Sequence, residues 1–331
     1  MGSRLVHRDM AVRRVLRLGL EAHQPPPPSS RGPSGSGQPP SHQQQQQERR
    51  SSMYSPPGGQ TPPPLNSARL KARLRDGVPA FGVWLSIPSP VTARMVAAQG
   101  FDWACIDMEH SPLNPTLMAD MVAAVASTGT CAPIVRVPSH APEYFKWALD
   151  AGAHGVIVPM VNTRDEMVKV LGYCKYPPEG RRSYGAFFAP QSFGIRGPGA
   201  ISEYTERANQ DILVIPQIES AEAVSNATEI LSVNGIDAIF IGPYDLQASL
   251  GAHRPVEDSY DSRFLAAQSA VIQAAEARNI PRGIYTSSGA AARSKLASRF
   301  TLVVAANDLS CLMGSTGENL GRAKSDPRGY R

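Results

Sequence analysis

The chain has 331 residues, 42% of them hydrophobic, enough for one large domain or two small ones. The formal charge of +5 is not a nucleic-acid signature: residues 1–65 carry eight Arg against three acids, and residues 66–331 balance 25 basic against 25 acidic side chains. No apolar run nears the roughly 18–20 residues that a membrane span needs, so neither a nucleic acid nor a membrane is an expected partner.

The first 23 residues interleave Arg4, Arg8, Arg13, Arg14 and Arg17 with aliphatic side chains, a pattern that resembles a weak transit peptide. An unstructured extension is the preferred reading, with a cytoplasmic protein as the main expectation and a mitochondrial one as the alternative. Met53 is a second candidate start. Residues 24–65 are Pro-, Gln- and Ser-rich and hold too little apolar surface to offset the entropy of ordering, so 1–65 is expected to be a disordered extension before a domain at 66–331.

From residue 66, short β-rich runs alternate with helical segments. The runs are Phe81–Leu85, Trp103–Ile106, Ile134–Val137, Gly155–Val158, Ile212–Ile218, Ala238–Ile241, Gly283–Tyr285 and Leu302–Ala305. Helical periodicity occupies 89–99, 114–127, 141–151, 163–174, 220–231 and 261–278. Eight strands, each with a helix, in one domain predict a (β/α)8 TIM barrel. A doubly wound open sheet is the rival, but no Gly-rich dinucleotide fingerprint follows the first strand. Cys105 and Cys131 lie in or beside apolar runs and read as small core residues. The four cysteines show neither metal spacing nor a disulfide framework, which fits a reducing compartment.

In such a barrel the chemistry is built at the carboxyl ends of the strands. Asp107, Glu109 and His110 follow the second run, Arg136 lies in the third, Glu219 closes the fifth and Asp245 follows the sixth. Ionisable residues at four strand ends have no common core explanation. Glu219 and Asp245 make a candidate site for a hard divalent cation, and oxygen ligands favour Mg2+ or Mn2+ over Zn2+. None of the six lysines ends a predicted strand, which argues against Schiff-base chemistry. No Cys has a plausible His partner at a strand end, and no Gly-x-Ser-x-Gly elbow occurs. Metal and histidine remain.

Several ordered blocks now carry a resemblance. They are Gly82-Val83-Trp84, Asp107-Met108-Glu109-His110, Val135-Arg136-Val137-Pro138, Leu149 through Gly155, Tyr176 through Ser183, Gln217-Ile218-Glu219 and Gly242-Pro243-Tyr244-Asp245. Over roughly 75–310 the chain resembles the class II pyruvate aldolases of the HpcH/HpaI aldolase/citrate lyase family. The resemblance implies a barrel of the phosphoenolpyruvate/pyruvate type, often with its last helix exchanged between subunits in trimers or hexamers. It implies a metal-dependent lyase that cleaves a 4-hydroxy-2-oxo acid to pyruvate and an aldehyde, with Mg2+, Mn2+ or Co2+ held by Glu219 and Asp245. Arg136 would stabilise the enolate. His110 would transfer a proton, oriented by Asp107 or Asp150. Arg136, Gln217, Gly242, Pro243 and Tyr244 would contact the oxo acid.

The bland readings stand beside these. Asp150 could merely end its helix, Glu109 could hydrogen-bond backbone, and His140 and His154 read as surface or packing residues. Tyr144, Phe145 and Trp147 read as core. Arg181 or Arg182 could face the substrate or pair at an interface, and the Phe-rich 185–200 segment suggests a lid or interface loop. Tyr244 and Gln247 depart from the usual pattern around the metal Asp, and Tyr244 is expected to narrow the cavity. A citramalyl- or malyl-CoA-type lyase and a catalytically silent binding barrel are the alternatives.

Overall fold

The computed structural model describes residues 66–325, apart from 255, 257, 258 and 260. The expected extension at 1–65 lies outside the described residues. In chain order the elements are α1 (Asn66–Arg75), β1 (Ala80–Leu85), α2 (Pro90–Ala97), β2 (Trp103–Asp107), α3 (Pro115–Ala126), β3 (Ala132–Arg136), α4 (Pro142–Asp150) and β4 (Gly155–Val158). They continue with α5 (Arg164–Cys174), α6 (Ala189–Ser192), α7 (Ala200–Asp211), β5 (Leu213–Pro216), α8 (Ala221–Ser225), α9 (Ala227–Ile230), β6 (Ile239–Ile241) and α10 (Pro243–Ser249). The last are α11 (Ser262–Glu276), β7 (Arg282–Ile284), α12 (Gly289–Lys295), β8 (Leu302–Asn307) and α13 (Asp308–Lys324).

The eight strands are parallel and run β5-β4-β3-β2-β1-β8-β7-β6. A single parallel bridge from Gln217 to Phe240, with Ile218 N–H donating to Phe240 O at 2.8 Å, joins the two end strands and brings the sheet nearly to closure. This is the expected barrel. Helices α1, α6, α7, α10, α12 and α13 lie outside the segments read as periodic. α10 is the informative miss, because it converts the residues after β6 from a loop into a helical turn.

Local chemistry explains the helix starts. Pro90, Pro115, Pro142 and Pro243 open their helices, where the missing N–H costs nothing. Ser89, Asn114 and Ser220 accept a hydrogen bond from the first turn, and Thr163 with Glu166 forms a reciprocal capping box.

The core has two compartments separated by the sheet. Outward side chains such as Val83, Ile106, Val135, Val156 and Ile241 pack on the helices. Inward ones fill the barrel: Ala80 and Trp84, Trp103 and Cys105, Ala132 and Ile134, Leu213 and Ile215, Ala238 and Phe240, Leu302 and Val304. Leu70 and Leu74 of α1 join the inner group, so α1 plugs the amino-terminal mouth. Successive strand residues point to opposite faces, and the inward parity, carried one or two rungs further, runs through Asp107, Arg136, Gln217, Glu219 and Gly242. The barrel therefore delivers these positions to its carboxyl-terminal mouth.

Candidate active site

At that mouth lies a cavity of about 320 Å3, lined among others by Trp84, Asp107, His110, Arg136, Gln217, Gly242, Pro243, Tyr244 and Asp245. Its centre is a buried ion pair. Arg136 donates from Nε to Asp107 Oδ1 at 2.9 Å and from Nη2 to Asp107 Oδ2 at 2.6 Å. Its Nη1 stands 2.8 Å from Glu109 Oε2. The guanidinium lies over the Trp84 ring, 4.7 Å from the centroid, while Trp84 Nε1 donates to Asp107 Oδ2 at 3.0 Å. Burial alone would discharge both partners, but the paired hydrogen bonds and opposite charges win: Asp107 is held below the usual carboxylate range and Arg136 above its ordinary value.

Asp107 Oδ1 also accepts the backbone N–H groups of Glu109 at 3.0 Å and His110 at 3.3 Å. It thus shapes the turn that presents His110. Asp150 lies apart from His110 within this chain. Its Oδ1 pairs with Arg182 Nη2 at 2.8 Å at the end of α4, outside the cavity lining. Arg182 is buried between the Tyr176 and Tyr204 rings, so it braces the fold within this chain. Glu109 pairs with Arg136, not with backbone.

Glu219 is 2% exposed, just behind the lining. Its Oε1 accepts Met160 N–H at 2.9 Å, and its Oε2 accepts Gln217 Nε2 at 2.6 Å. Met160 adopts φ 52°, a left-handed conformation rare outside glycine, as it leaves β4 and presents its N–H to the carboxylate. Gly242 makes the close approach possible: a Cβ there would fall 2.0 Å from Glu219 Oε2. Asp245 sits in the first turn of α10, behind Pro243. Burial raises Glu219 to about 7; the Met160 hydrogen bond opposes the shift, and the charges of Asp245 and Glu109 add to it. Burial, with Asp107 and Asp245, likewise raises Glu109 against the pull of Arg136.

Among the described residues no group of three or more His, Cys, Asp or Glu side chains forms a ready metal cage. The donor set nevertheless fits a hard cation that keeps open positions for substrate and water. Glu219 and Asp245 lie close enough that the Asp245 charge raises Glu219, and the buried Gln217 Oε1 beside them has no hydrogen-bond partner.

The sequence profile of the HpcH/HpaI aldolase/citrate lyase family matches residues 80–295. The chain belongs to this family. It is 37% identical over 250 residues to the hydroxypyruvate/pyruvate aldolase of Rhizorhabdus wittichii, spanning 76% of this chain and 96% of that protein. It is 37% identical over 212 residues to a 4-hydroxy-2-oxo-heptane-1,7-dioate aldolase of Shigella flexneri, spanning 64% and 76%. Among solved structures, an HpcH/HpaI family protein from Burkholderia cenocepacia superposes with TM-score 0.70 at 34% identity, covering 78% of this chain and 99% of that one. Membership in the HpcH/HpaI family makes this protein a lyase.

The remaining expectations sort cleanly. In this family member Tyr244 lines the cavity at 37% exposure, against Tyr285. Gln247 is buried and ties Pro243 O to the backbone of Val256, so it holds the loop beyond α10. His154 is buried on Phe193 and pushed down to about 4 by burial. Phe145 is core, but Trp147 is 41% exposed. The 185–200 segment folds into α6, with Phe193 buried and Phe187 and Phe188 exposed. Lys175 is buried, bonding the carbonyls of Asn209 and Ile212 just before β5, at the opposite pole. Ser86, Tyr285 and Asn307 also line the cavity, at positions that no sequence motif marks.

Two predictions arise from Glu219. A Gly242→Ala substitution should weaken divalent-metal binding by about tenfold or more, because Glu219 must yield to the new methyl; calorimetric Mn2+ titration with an unchanged melting temperature checks this. The second concerns protons. Folded, metal-free Glu219 keeps its proton up to about pH 7, whereas an unfolded glutamate loses it near ~4.3. Its contribution to stability is therefore complete below ~4.3 and lost as pH rises through about 7. A cation binds only the carboxylate, so its affinity should rise over the same window. Mn2+ binding should release roughly one proton at pH 6 and almost none at pH 8.5, as read from titrations in buffers of different ionisation enthalpy.

Proposed function

We propose that this lyase reversibly cleaves a 4-hydroxy-2-oxo acid to pyruvate and an aldehyde, with a divalent cation, Mg2+ or Mn2+, held by Glu219 and Asp245. The observation that carries the reading is the meeting of Arg136, His110 and Asp245 around one cavity, with Glu219 directly behind it. The two relatives compared above, a hydroxypyruvate/pyruvate aldolase and a 4-hydroxy-2-oxo-heptane-1,7-dioate aldolase, support the same chemistry.

When bound, a cation there supplies Lewis acidity to the 2-oxo acid. Arg136 commits Nε and one Nη2 N–H to Asp107 and keeps Nη1 in an ion pair with Glu109, which leaves N–H groups for the substrate. Its fixed charge faces the oxygen that becomes an enolate when the C3–C4 bond breaks. His110, presented by the Asp107 turn, accepts the proton of the 4-hydroxyl as that oxygen becomes the aldehyde carbonyl. Gln217, Gly242, Pro243 and Tyr244 bound the pocket for the oxo acid.

The test is pyruvate release from 4-hydroxy-2-oxo acids, together with deuterium exchange into the pyruvate methyl group, before and after chelation and Mn2+ restoration. Metal-dependent exchange and release are expected. Neither, with tight Mn2+ binding intact, would favour a CoA-ester lyase or a silent barrel.

We also propose a homo-oligomer, a trimer or hexamer, in which α13 packs on a second copy. Asp308 anchors the helix start by accepting the N–H groups of Ser86 and Ile87. Beyond it Leu309, Leu312, Met313 and Leu320 form an exposed stripe at helical spacing. Leu312→Lys combined with Met313→Lys should shift the sedimentation profile to monomer.

A further inference from the structure

One wall of the cavity is aromatic. Trp84, Phe240, Tyr285 and Tyr244 make a continuous aromatic wall: ring centroids lie 5.8 Å apart for Trp84–Phe240, 5.6 Å for Trp84–Tyr285 and 6.0 Å for Tyr244–Tyr285. One face of Trp84 is covered by the Arg136 guanidinium. Beyond it the wall continues along the cavity through Tyr285, half-buried, and Tyr244, at the rim. They meet at 64°, an edge-to-face arrangement that offers a flat guest both a π-face and a ring edge.

Cations are scarce around this wall. Among the described residues lining the cavity, Arg136 and His110 are the basic side chains. Arg136 is already paired with two carboxylates, and His110 is assigned to the hydroxyl proton. Beside Trp84 the lining offers neutral groups: Asn307 Nδ2 donates to Ser86 Oγ at 3.2 Å. With Arg136 and the cation of the proposed site engaged by the oxo acid, a second carboxylate on the aldehyde would find no further countercharge in the described lining, and its desolvation would go uncompensated. At about 320 Å3 the cavity is also at the small end of the roughly 300–1,000 Å3 range of ligand pockets. It suits pyruvate and one compact ring.

We infer that this aldolase selects uncharged, ring-bearing aldehydes and rejects carboxylate-bearing semialdehydes, with Tyr285 and Tyr244 as the specificity-determining residues. The inference rests on the aldolase reading above. It separates this chain from the relative named for a diacid, the 4-hydroxy-2-oxo-heptane-1,7-dioate aldolase.

The test measures kcat/KM for pyruvate addition to benzaldehyde and to succinic semialdehyde with the full chain and Mn2+. Deuterium exchange into pyruvate, which needs no aldehyde, is followed in parallel. A benzaldehyde preference of about tenfold or more is expected, and it should fall at least fivefold in Tyr285→Leu and in Tyr244→Leu. These smaller aliphatic side chains keep the pocket apolar and remove the ring. A ratio at or below one, or a ratio that neither substitution lowers, overturns the inference while exchange by the wild-type chain leaves the aldolase reading standing. Loss of exchange in the wild-type chain removes both.

Discussion

Glu219→Ala and Asp245→Ala should each lower kcat by roughly a thousandfold or more and abolish Mn2+ binding. The two changes differ in character. Glu219 is buried, and Gln217 Nε2 and Met160 N–H are aimed at it. Its removal leaves two donors unsatisfied at the barrel mouth, a cost of about 1–3 kcal/mol for each group left bare. Asp245 is solvent-facing in the first turn of α10, so its loss should leave folding almost untouched. Asp245→Ala is consequently the cleaner probe. Metal affinity and kcat should collapse together while the urea midpoint stays near that of the wild type. If Asp245→Ala keeps wild-type Mn2+ affinity, the carboxylate pair does not hold the metal.

Arg136→Ala should carry the second large effect, and on two readouts at once. Loss of the guanidinium removes the charge facing the developing enolate, worth about 10²–10³ in kcat for a single well-placed donor. It also leaves Asp107, one of the most buried carboxylates in the chain, without its bidentate partner. Breaking one half of a buried ion pair typically costs about 3–5 kcal/mol, so urea unfolding should shift strongly. Arg136→Lys keeps a charge but cannot reproduce the paired Nε and Nη2 contacts, and should fall between. Asp107→Ala should match Arg136→Ala in stability. Its kcat loss should be smaller, since Asp107 acts by holding Arg136 and the turn before His110. Equal kcat values for wild type and Arg136→Ala would remove Arg136 from the chemistry.

Much of this protein was legible without coordinates. Eight apolar runs separated by helical periodicity specify a parallel barrel, because strands buried on both faces need helices over one of them. The placement of Asp107, His110, Arg136, Glu219 and Asp245 at strand ends followed from that topology. The same burial hid other members of the site. In a strand apolar on both faces, hydrophobicity does not distinguish the inward from the outward parity, so Trp84 and Tyr285 looked like ordinary core. The inner set Ala80, Trp84 and Phe240 shows which parity faces the cavity.

Who pairs with whom was decided only in three dimensions. Asp150 and Arg182 lie 32 residues apart, and nothing local reveals that the arginine claims the carboxylate. Asp107 is three residues from His110 in sequence, yet its carboxylate turns to Arg136, 29 residues on, because a bidentate guanidinium contact outweighs a ring hydrogen bond across a turn. The sequence by itself determined the barrel and the chemical types at its mouth, since both follow from local periodicity. The tertiary structure alone decided the partners of each charge, the raised Glu219 and the aromatic wall. Those depend on burial and on distances between strands that the chain order does not contain.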